Sequence, residues 1–287
     1  TPPAEVDDPG LVDFFYYRLR GTANARATPP YDRNGVDVAA VTFDVSPAVP
    51  IEFVQARVPP AHAANLTTGV PSNFGLPANP EAGNLLVVAV ATTLNAGSTP
   101  GAGYDLALSV TNADATAYTQ IGSFVDYNEF DPPPIRPYQK LSLWYRFATG
   151  PLASERNVIV TPTWTEPFTT LDVMAVVAEY RNAAAPEANS SNAVGGSSFP
   201  SSWTTGTVTV SGNGRMLLAA FMTNLEVSSP LFGFTSATAR FTFSSGSEPV
   251  SLWLGDVLNV STSVAVLASY AGGQRYAGIG ASFPPAS

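Results

Sequence analysis

The order of three apolar segments, which occurs twice along the chain, constrains the fold more than any other sequence feature. The first occurrence consists of a turn at 81–84 that enters the run 85–90, then Leu141–Tyr145, then a run over 172–180 that ends in a tyrosine. Apolar runs rich in β-branched residues and bounded by turns are typical of buried β-strands. These segments therefore predict inner strands of a β-sandwich.

A weaker copy of the same order follows downstream, at 214–221, 250–254 and 264–270. The middle segment of each copy contains Ser-Leu-Trp, and the third ends in tyrosine. We therefore predict two weakly repeated halves, at about 81–184 and 205–287. The repeat reports on the fold and says little about chemistry.

The predicted fold is all-β: a jelly-roll-like antiparallel β-sandwich over 50–287, with an N-terminal extension over 1–49. No segment shows helical periodicity beyond one turn, and strands separated by short turns favour a sandwich over a parallel α/β fold. Trp144 and Trp253 occupy matching places in the two copies, so we expect them in the core. Trp203 is surrounded by Ser and Thr, and we expect it to be exposed.

Composition excludes several classes of function. The chain has 287 residues, a net charge of −9 and no basic cluster, which argues against nucleic-acid binding. The absence of cysteine excludes disulfides and thiolate metal sites. The longest apolar run, Leu85–Leu94, is about half as long as a membrane-spanning helix, so no membrane insertion is expected. Charged residues make up only 12% of the chain, which suits a hydroxyl-rich extracellular or particle-coat surface.

The N-terminal extension carries a distinctive aromatic and basic segment. It contains Phe14, Phe15, Tyr16, Tyr17, Arg18 and Arg20. One interpretation is a strand that seals the sandwich, and the other is an arm that docks on a neighbouring subunit. Because four large aromatics need a cover, we predict an assembly arm and a homo-oligomer.

The order of the strands over 51–55, 82–88, 141–145, 176–180 and 277–281 resembles a loosely defined group of bacterial and phage modules. In that group a strand ending in Phe-Val-Gln is followed by Ala-Gly-Asn-Leu-Leu-Val-Val, a Trp-Tyr strand and an Ala-Glu-Tyr strand. The resemblance extends from Ile51 to the C-terminus. It implies a jelly-roll-like sandwich on secreted proteins or on phage-like particles, without an established activity.

One loop combines carboxylates with aromatic rings, and it is the strongest candidate for ligand binding. Its members, to which we add the exposed Trp203, are Asp126, Tyr127, Glu129, Phe130 and Asp131. Aromatic faces stack on sugar rings and carboxylates bind calcium, although such loops are more often solvated turns. The loop offers no catalytic partners at the required spacing.

The remaining candidates for chemistry are weak. His62 is the only histidine and is expected in a loop, so neither a zinc site nor a serine triad is predicted. Asp105, Asn112 and Asp114 offer oxygen ligands, which leaves a structural calcium ion as the one cofactor still open. Glu179 is expected to pair with an arginine.

The leading functional prediction is a non-enzymatic structural or attachment protein of a phage-like particle surface, such as a decoration protein or a head or tail fibre. Its partners would be other subunits of the particle, at a virion or extracellular surface. The alternative is a carbohydrate-binding or adhesin module of a secreted bacterial protein. An enzyme that cleaves glycans is not expected.

Overall fold

The computed structural model describes residues 49–56, 62–94, 106–127, 139–164, 170–194, 200–223, 232–243 and 251–286, together with four short strands between 24 and 44. The chain divides into two compact units, 1–48 and 49–287, and each is described by itself.

The first unit contains an antiparallel β-hairpin. Its strands are β1 (Asn24–Thr28), β2 (Asp32–Arg33), β3 (Val36–Asp37) and β4 (Ala40–Asp44). β1 pairs with β4, and β2 pairs with β3 nearer the tip. The aromatic and basic segment at 14–20 lies outside the described residues, so the assembly arm stays a prediction.

The first half of the second unit forms a complete sandwich. Its strands are β5 (Glu52–Ala56), β6 (His62–Leu66), β7 (Ser72–Gly75), β8 (Leu85–Leu94), β9 (Leu106–Asn112), β10 (Thr119–Tyr127), β11 (Gln139–Phe147), β12 (Asn157–Trp164) and β13 (Leu171–Arg181), with a short helix α1 (Ala153–Arg156). The inner sheet has the order β10-β11-β8-β13-β5, and β6 also pairs with β13. The outer sheet has the order β7-β12-β9.

The second half forms another sandwich with the same strand order. Its strands are β14 (Ala188–Val194), β15 (Ser202–Val208), β16 (Arg215–Thr223), β17 (Phe232–Phe234), β18 (Thr238–Phe243), β19 (Ser251–Val260), β20 (Val264–Tyr270) and β21 (Tyr276–Phe283). The inner sheet is β18-β19-β16-β21-β14 and the outer sheet is β15-β20-β17. Every strand of this sandwich therefore has a counterpart in the first.

All named strand pairs are antiparallel, which confirms the predicted all-β sandwich class. With the eight shared strands of one sandwich numbered in chain order, the inner sheet reads 5-6-3-8-1 and the outer sheet 2-7-4. This differs from a jelly roll only in strand 5, which joins the inner sheet instead of the outer one. The structure also shows a feature that the sequence did not predict: each repeated half is a sandwich of its own.

The four sheets stack as layers with three apolar cores between them. One core fills each sandwich, and the third lies between the two inner sheets. In β8, for example, Leu86 and Val88 face the outer sheet, whereas Leu85 and Val87 face the second sandwich. Strands buried on both faces are apolar without alternation. This burial explains the unbroken apolar runs of the sequence.

The two sandwiches are related by an approximate twofold axis parallel to the strands. Across the interface β10 packs on β14, β11 on β21 and β13 on β19, so the strand order is reversed. Tyr180, opposite the first residue of β8, hydrogen-bonds to Asp256, which lies opposite Leu218 in the first half of β16. The central strands β8 and β16 therefore run toward the same end.

Both repeated tryptophans are buried in the cores, as predicted. Trp144 lies opposite Val88, and Trp253 lies opposite Phe221. The central strands start at equivalent turns, where Gly83 and Gly214 have φ of +82° and +72°. Counted from these glycines, Phe221 is two residues further along its strand than Val88. Each tryptophan therefore faces the core of its own sandwich, but Trp253 lies two residues further along its sheet than Trp144 does.

We expect Trp253→Ala to lower the free energy of unfolding by about 3–5 kcal/mol, because it removes a buried indole and leaves a cavity. Leu267→Ala is the matched control, since Leu267 lies in the same sandwich with 41% of its surface exposed. Urea unfolding of both variants measures the difference. Equal stability of the two variants would contradict the core position of Trp253.

Candidate functional site

A cluster of charged and aromatic side chains crosses the interface between the two sandwiches. Asp256 in β19 is fully buried and faces the first sandwich. Arg240 in β18 donates from Nε to Oδ2 at 2.6 Å and from Nη2 to Oδ1 at 3.0 Å. The hydroxyl of Tyr180 in β13 donates to Oδ2 at 2.8 Å. A buried carboxylate needs such partners, because its desolvation is costly.

Aromatic contacts extend this cluster into β5. The guanidinium carbon of Arg240 lies 4.3 Å from the centre of the Phe53 ring. Phe53 in turn makes an edge-to-face contact with Tyr180, with ring centres 5.7 Å apart. The cation–π contact and the Tyr180–Asp256 hydrogen bond join the two sandwiches, whereas the Arg240–Asp256 ion pair lies within the second sandwich. Phe53, Tyr180, Arg240 and Asp256 are called the interface cluster below.

The titration properties of the interface cluster favour a structural role. Burial raises the pKa of the Tyr180 hydroxyl well above its usual value, and the Asp256 carboxylate raises it further. Burial lowers the pKa of Arg240, but the hydrogen bond and charge of Asp256 outweigh it, so this pKa is raised overall. Arg240 therefore stays charged and Tyr180 stays protonated near neutral pH, so neither of these two groups is ready to exchange a proton.

An open polar depression borders the interface cluster. It has a volume of about 560 Å³ and is lined by Arg240, Asp256 and residues 235–238 and 257–258. A second depression of about 320 Å³ adjoins it at Ser236, Val257 and Leu258. Since the guanidinium and carboxylate that reach the depression already bind each other, it contains no convergent set of catalytic groups.

Glu179 organises the turn that precedes the central strand of the first sandwich. It is fully buried and accepts hydrogen bonds from Gln55 Nε2 at 2.5 Å, Asn84 Nδ2 at 2.7 Å and the Glu81 amide at 2.9 Å. The prediction of an arginine partner is therefore wrong. Neutral amides supply the donors because Gln55 lies opposite Glu179 on β5 and Asn84 ends the turn.

Glu187, an exposed residue directly before β14, does the same for the second sandwich. It accepts from Ser211 Oγ at 2.6 Å and Arg215 Nε at 3.2 Å, beside the turn that enters β16. Burial raises the pKa of Glu187, but the hydrogen bonds from Ser211 and Arg215 lower it overall. Both carboxylates thus fix equivalent turns.

Glu155 of α1 is also buried, and it supports the same end of the first sandwich as Glu179. Arg146 binds both of its oxygens, and Thr149 Oγ1 donates at 2.6 Å. Burial raises the pKa of Glu155, but these hydrogen bonds outweigh it and hold the pKa below its usual value. Burial raises the pKa of the neighbouring Tyr118 hydroxyl, although the charge of Arg146 opposes the shift.

Part of the predicted acidic and aromatic loop lies within the described residues. Asp126 and Tyr127 are the last two residues of β10, opposite Lys140 and Gln139 at the start of β11. Glu129, Phe130 and Asp131 lie outside the described residues. Ligand binding by this loop stays a prediction.

The prediction that Trp203 is exposed is wrong, because the residue is fully buried. It stacks on Tyr276 with ring centres 5.1 Å apart and also contacts Trp253 and Phe232. Its indole N–H donates to the Pro200 carbonyl at 3.1 Å. The flanking Ser202 and Thr204 face outward because side chains alternate along a strand. Their polarity therefore gives no information about the burial of Trp203.

His62 and the candidate calcium ligands are also accounted for. His62 is the first residue of β6, opposite Met174, and not a loop residue. Asn112 Oδ1 accepts from the amides of Asp114 and Thr116, so it closes a turn. Asp105 lies outside the described residues. In the described ranges no three His, Asp or Glu side chains form a group suited to a metal ion.

Sequence reasoning missed the interface cluster. The available signal was Asp256, a lone carboxylate in an otherwise apolar strand, which implies a buried partner. Within the described ranges, no helix has the length and apolar content needed to cross a bilayer.

Comparison of the chain with family models, with curated proteins and with solved structures gave no match. The resemblance to bacterial and phage modules therefore stays a prediction.

We expect Arg240→Ala to cost about 3–5 kcal/mol of stability, because it leaves the buried Asp256 carboxylate without its ion-pair partner. Tyr180→Phe should cost less, about 1.5–3 kcal/mol, since it removes one hydrogen bond to a charged group. Arg181→Ala, which breaks an exposed ion pair with Glu52, is the control and should change stability little. Urea titrations measure all three, and an Arg240→Ala variant as stable as the control would contradict the assigned role.

Stability should fall as pH rises above about 10, the usual pKa of tyrosine. Tyr180 and Tyr276 have raised pKa values in the fold, so the unfolded chain releases their protons first and gains stability from doing so. Tyr180→Phe removes one such group and should make the alkaline loss of stability less steep. Unfolding free energies measured on both sides of that pH test this, and equal slopes for the two proteins would contradict it.

Proposed function

We propose that the chain is a non-enzymatic structural or attachment protein of a phage-like particle surface, as a decoration protein or a head or tail fibre. The observation that carries this proposal is the use of the buried charges. Asp256, Glu179 and Glu155 each accept hydrogen bonds from several groups of the fold itself. Carboxylates saturated in this way stabilise a scaffold and have no free capacity for acid–base chemistry.

The stacking of the two sandwiches supports the same proposal. Their inner sheets share one apolar core, and the interface cluster adds the Tyr180–Asp256 hydrogen bond and a cation–π contact. Close-packed apolar layers deform little. A four-layer block of this kind can hold a binding surface at a fixed distance from an anchor.

The alternative is a carbohydrate-binding or adhesin module of a secreted bacterial protein. It is favoured by one observation: β10 ends in Asp126 and Tyr127, directly before the remaining loop residues Glu129, Phe130 and Asp131 in the sequence. Aromatic and acidic groups in one loop suit sugar recognition.

The two functions are separated by binding experiments on the purified chain. Stoichiometric incorporation into particles assembled from the neighbouring structural genes, with no binding on a glycan array, would support a particle protein. Glycan binding that is lost in Tyr127→Ala, without incorporation, would favour the adhesin. Turnover of a polysaccharide would contradict both.

We predict that deleting residues 1–48 leaves the second unit folded, because 49–287 is compact by itself and contains all three described cores. If the first unit is an assembly arm, the shortened chain should keep its cooperative unfolding but lose attachment to the particle. Circular dichroism and particle binding measure these two properties. A shortened chain that aggregates would instead show that the aromatic segment belongs to the core.

A further inference from the structure

The edge strand β14 lacks the features that normally prevent a strand edge from pairing. It is the outermost strand of the inner sheet of the second sandwich and carries neither a charged residue nor a proline over Ala188–Val194. Its seven residues pair with β21 without a bulge. Natural sheets protect exposed edges with charges, prolines, bulges or short strands. β14 has none of these.

Among the described residues, the backbone groups on the outer side of β14 have no strand partner. In the described ranges, β21 is the only segment that forms backbone hydrogen bonds with 188–194. Along an antiparallel edge strand, alternate residues direct N–H and C=O groups away from the sheet. A row of such groups on a regular strand is a template for a further strand.

The other edges of the second unit are protected. β5 carries the exposed Glu52–Arg181 ion pair and a bulge. β18 carries Arg240 and a bulge, and β10 has a bulge between Ile121 and Val125. In the outer sheets β7 and β17 are only four and three residues long, β15 has a bulge between Thr204 and Thr207, and the chain at 116–118 covers part of β9. This contrast singles out β14.

We propose that β14 pairs antiparallel with β14 of a second copy of the chain, about a twofold axis perpendicular to the sheet. The pairing would join two five-stranded inner sheets into one of ten strands. A twofold interface brings identical surfaces together, so it must not repel itself. With a net charge of −9, two copies repel at most surfaces, whereas β14 contributes no charge. Exposed Asn189 and Ser191 add amide and hydroxyl groups that can hydrogen-bond across the pair.

Self-association through β14 does not depend on which surface the protein is attached to. It also differs from assembly through the first unit, because it needs only residues of the second unit. The two routes can therefore be told apart by separate variants.

The test uses the full chain and places a charge next to the twofold axis. Sedimentation of the wild type at micromolar concentrations should show a reversible dimer. Ser191→Lys and Ser191→Asp should each raise the dissociation constant at least about tenfold, because either sign of charge meets its own copy. Thr163→Lys is the matched control: Thr163 is an exposed hydroxyl residue on β12, the central strand of an outer sheet, and its replacement should leave the dimer intact.

Thermal unfolding of all variants checks that the fold is preserved. A monomeric wild type would overturn the proposal, even if a different protein were found to bind β14. So would a dimer that survives both Ser191 variants, or one that Thr163→Lys weakens equally. A dimer that is lost on deletion of residues 1–48 but kept in Ser191→Lys would place assembly in the first unit and contradict the role of β14.

Discussion

Burial of both faces of each inner sheet is the constraint on which this structure depends. A five-stranded sheet with apolar residues on both faces needs a cover on each side. The small outer sheets cover one face of each, and the two inner sheets cover each other. Neither sandwich can satisfy this requirement alone, because the face that meets its partner contains residues such as Leu85, Val176, Leu218 and Ile279. We therefore expect the two halves to fold together, although each has a complete sandwich topology of its own.

The interface cluster makes this apolar contact specific. Apolar layers alone tolerate sliding, since dispersion and hydrophobic terms have little directionality. The Asp256 carboxylate accepts bonds from Tyr180 of one sandwich and Arg240 of the other, so only one alignment satisfies it. On the opposite side of the interface Gly122 faces Asn189, and a Cβ atom at Gly122 would lie 2.6 Å from Asn189 Oδ1. A charged contact fixes one side of the stack and close backbone approach fixes the other.

The sequence predicted the sheet content well because the strand signal is local. The apolar runs of β8, β13 and β16 can be recognised within a window of ten residues, and their repeated order indicated the two halves. The number of sandwiches could not be predicted from the sequence, because a strand that is apolar on both faces does not indicate which sheet covers each face. Trp203 was misassigned from its Ser and Thr neighbours, although strand alternation separates those faces. The partners of Asp256 could not be found, because Tyr180 lies 76 residues away in sequence.

The short connection between the sandwiches, from Asn182 to Glu187, affects how the two sandwiches meet. Two equivalent sandwiches about a twofold axis have the arrangement of a symmetric dimer, but here both sandwiches belong to one chain. Covalent linkage replaces a concentration-dependent encounter by an intramolecular one with a high effective concentration. It also lets the two copies diverge, so that a feature required on one side of the axis need not appear on the other. The interface cluster and the uncharged β14 edge lie on opposite sides of the interface, whereas a dimer of identical halves would carry both features on both sides.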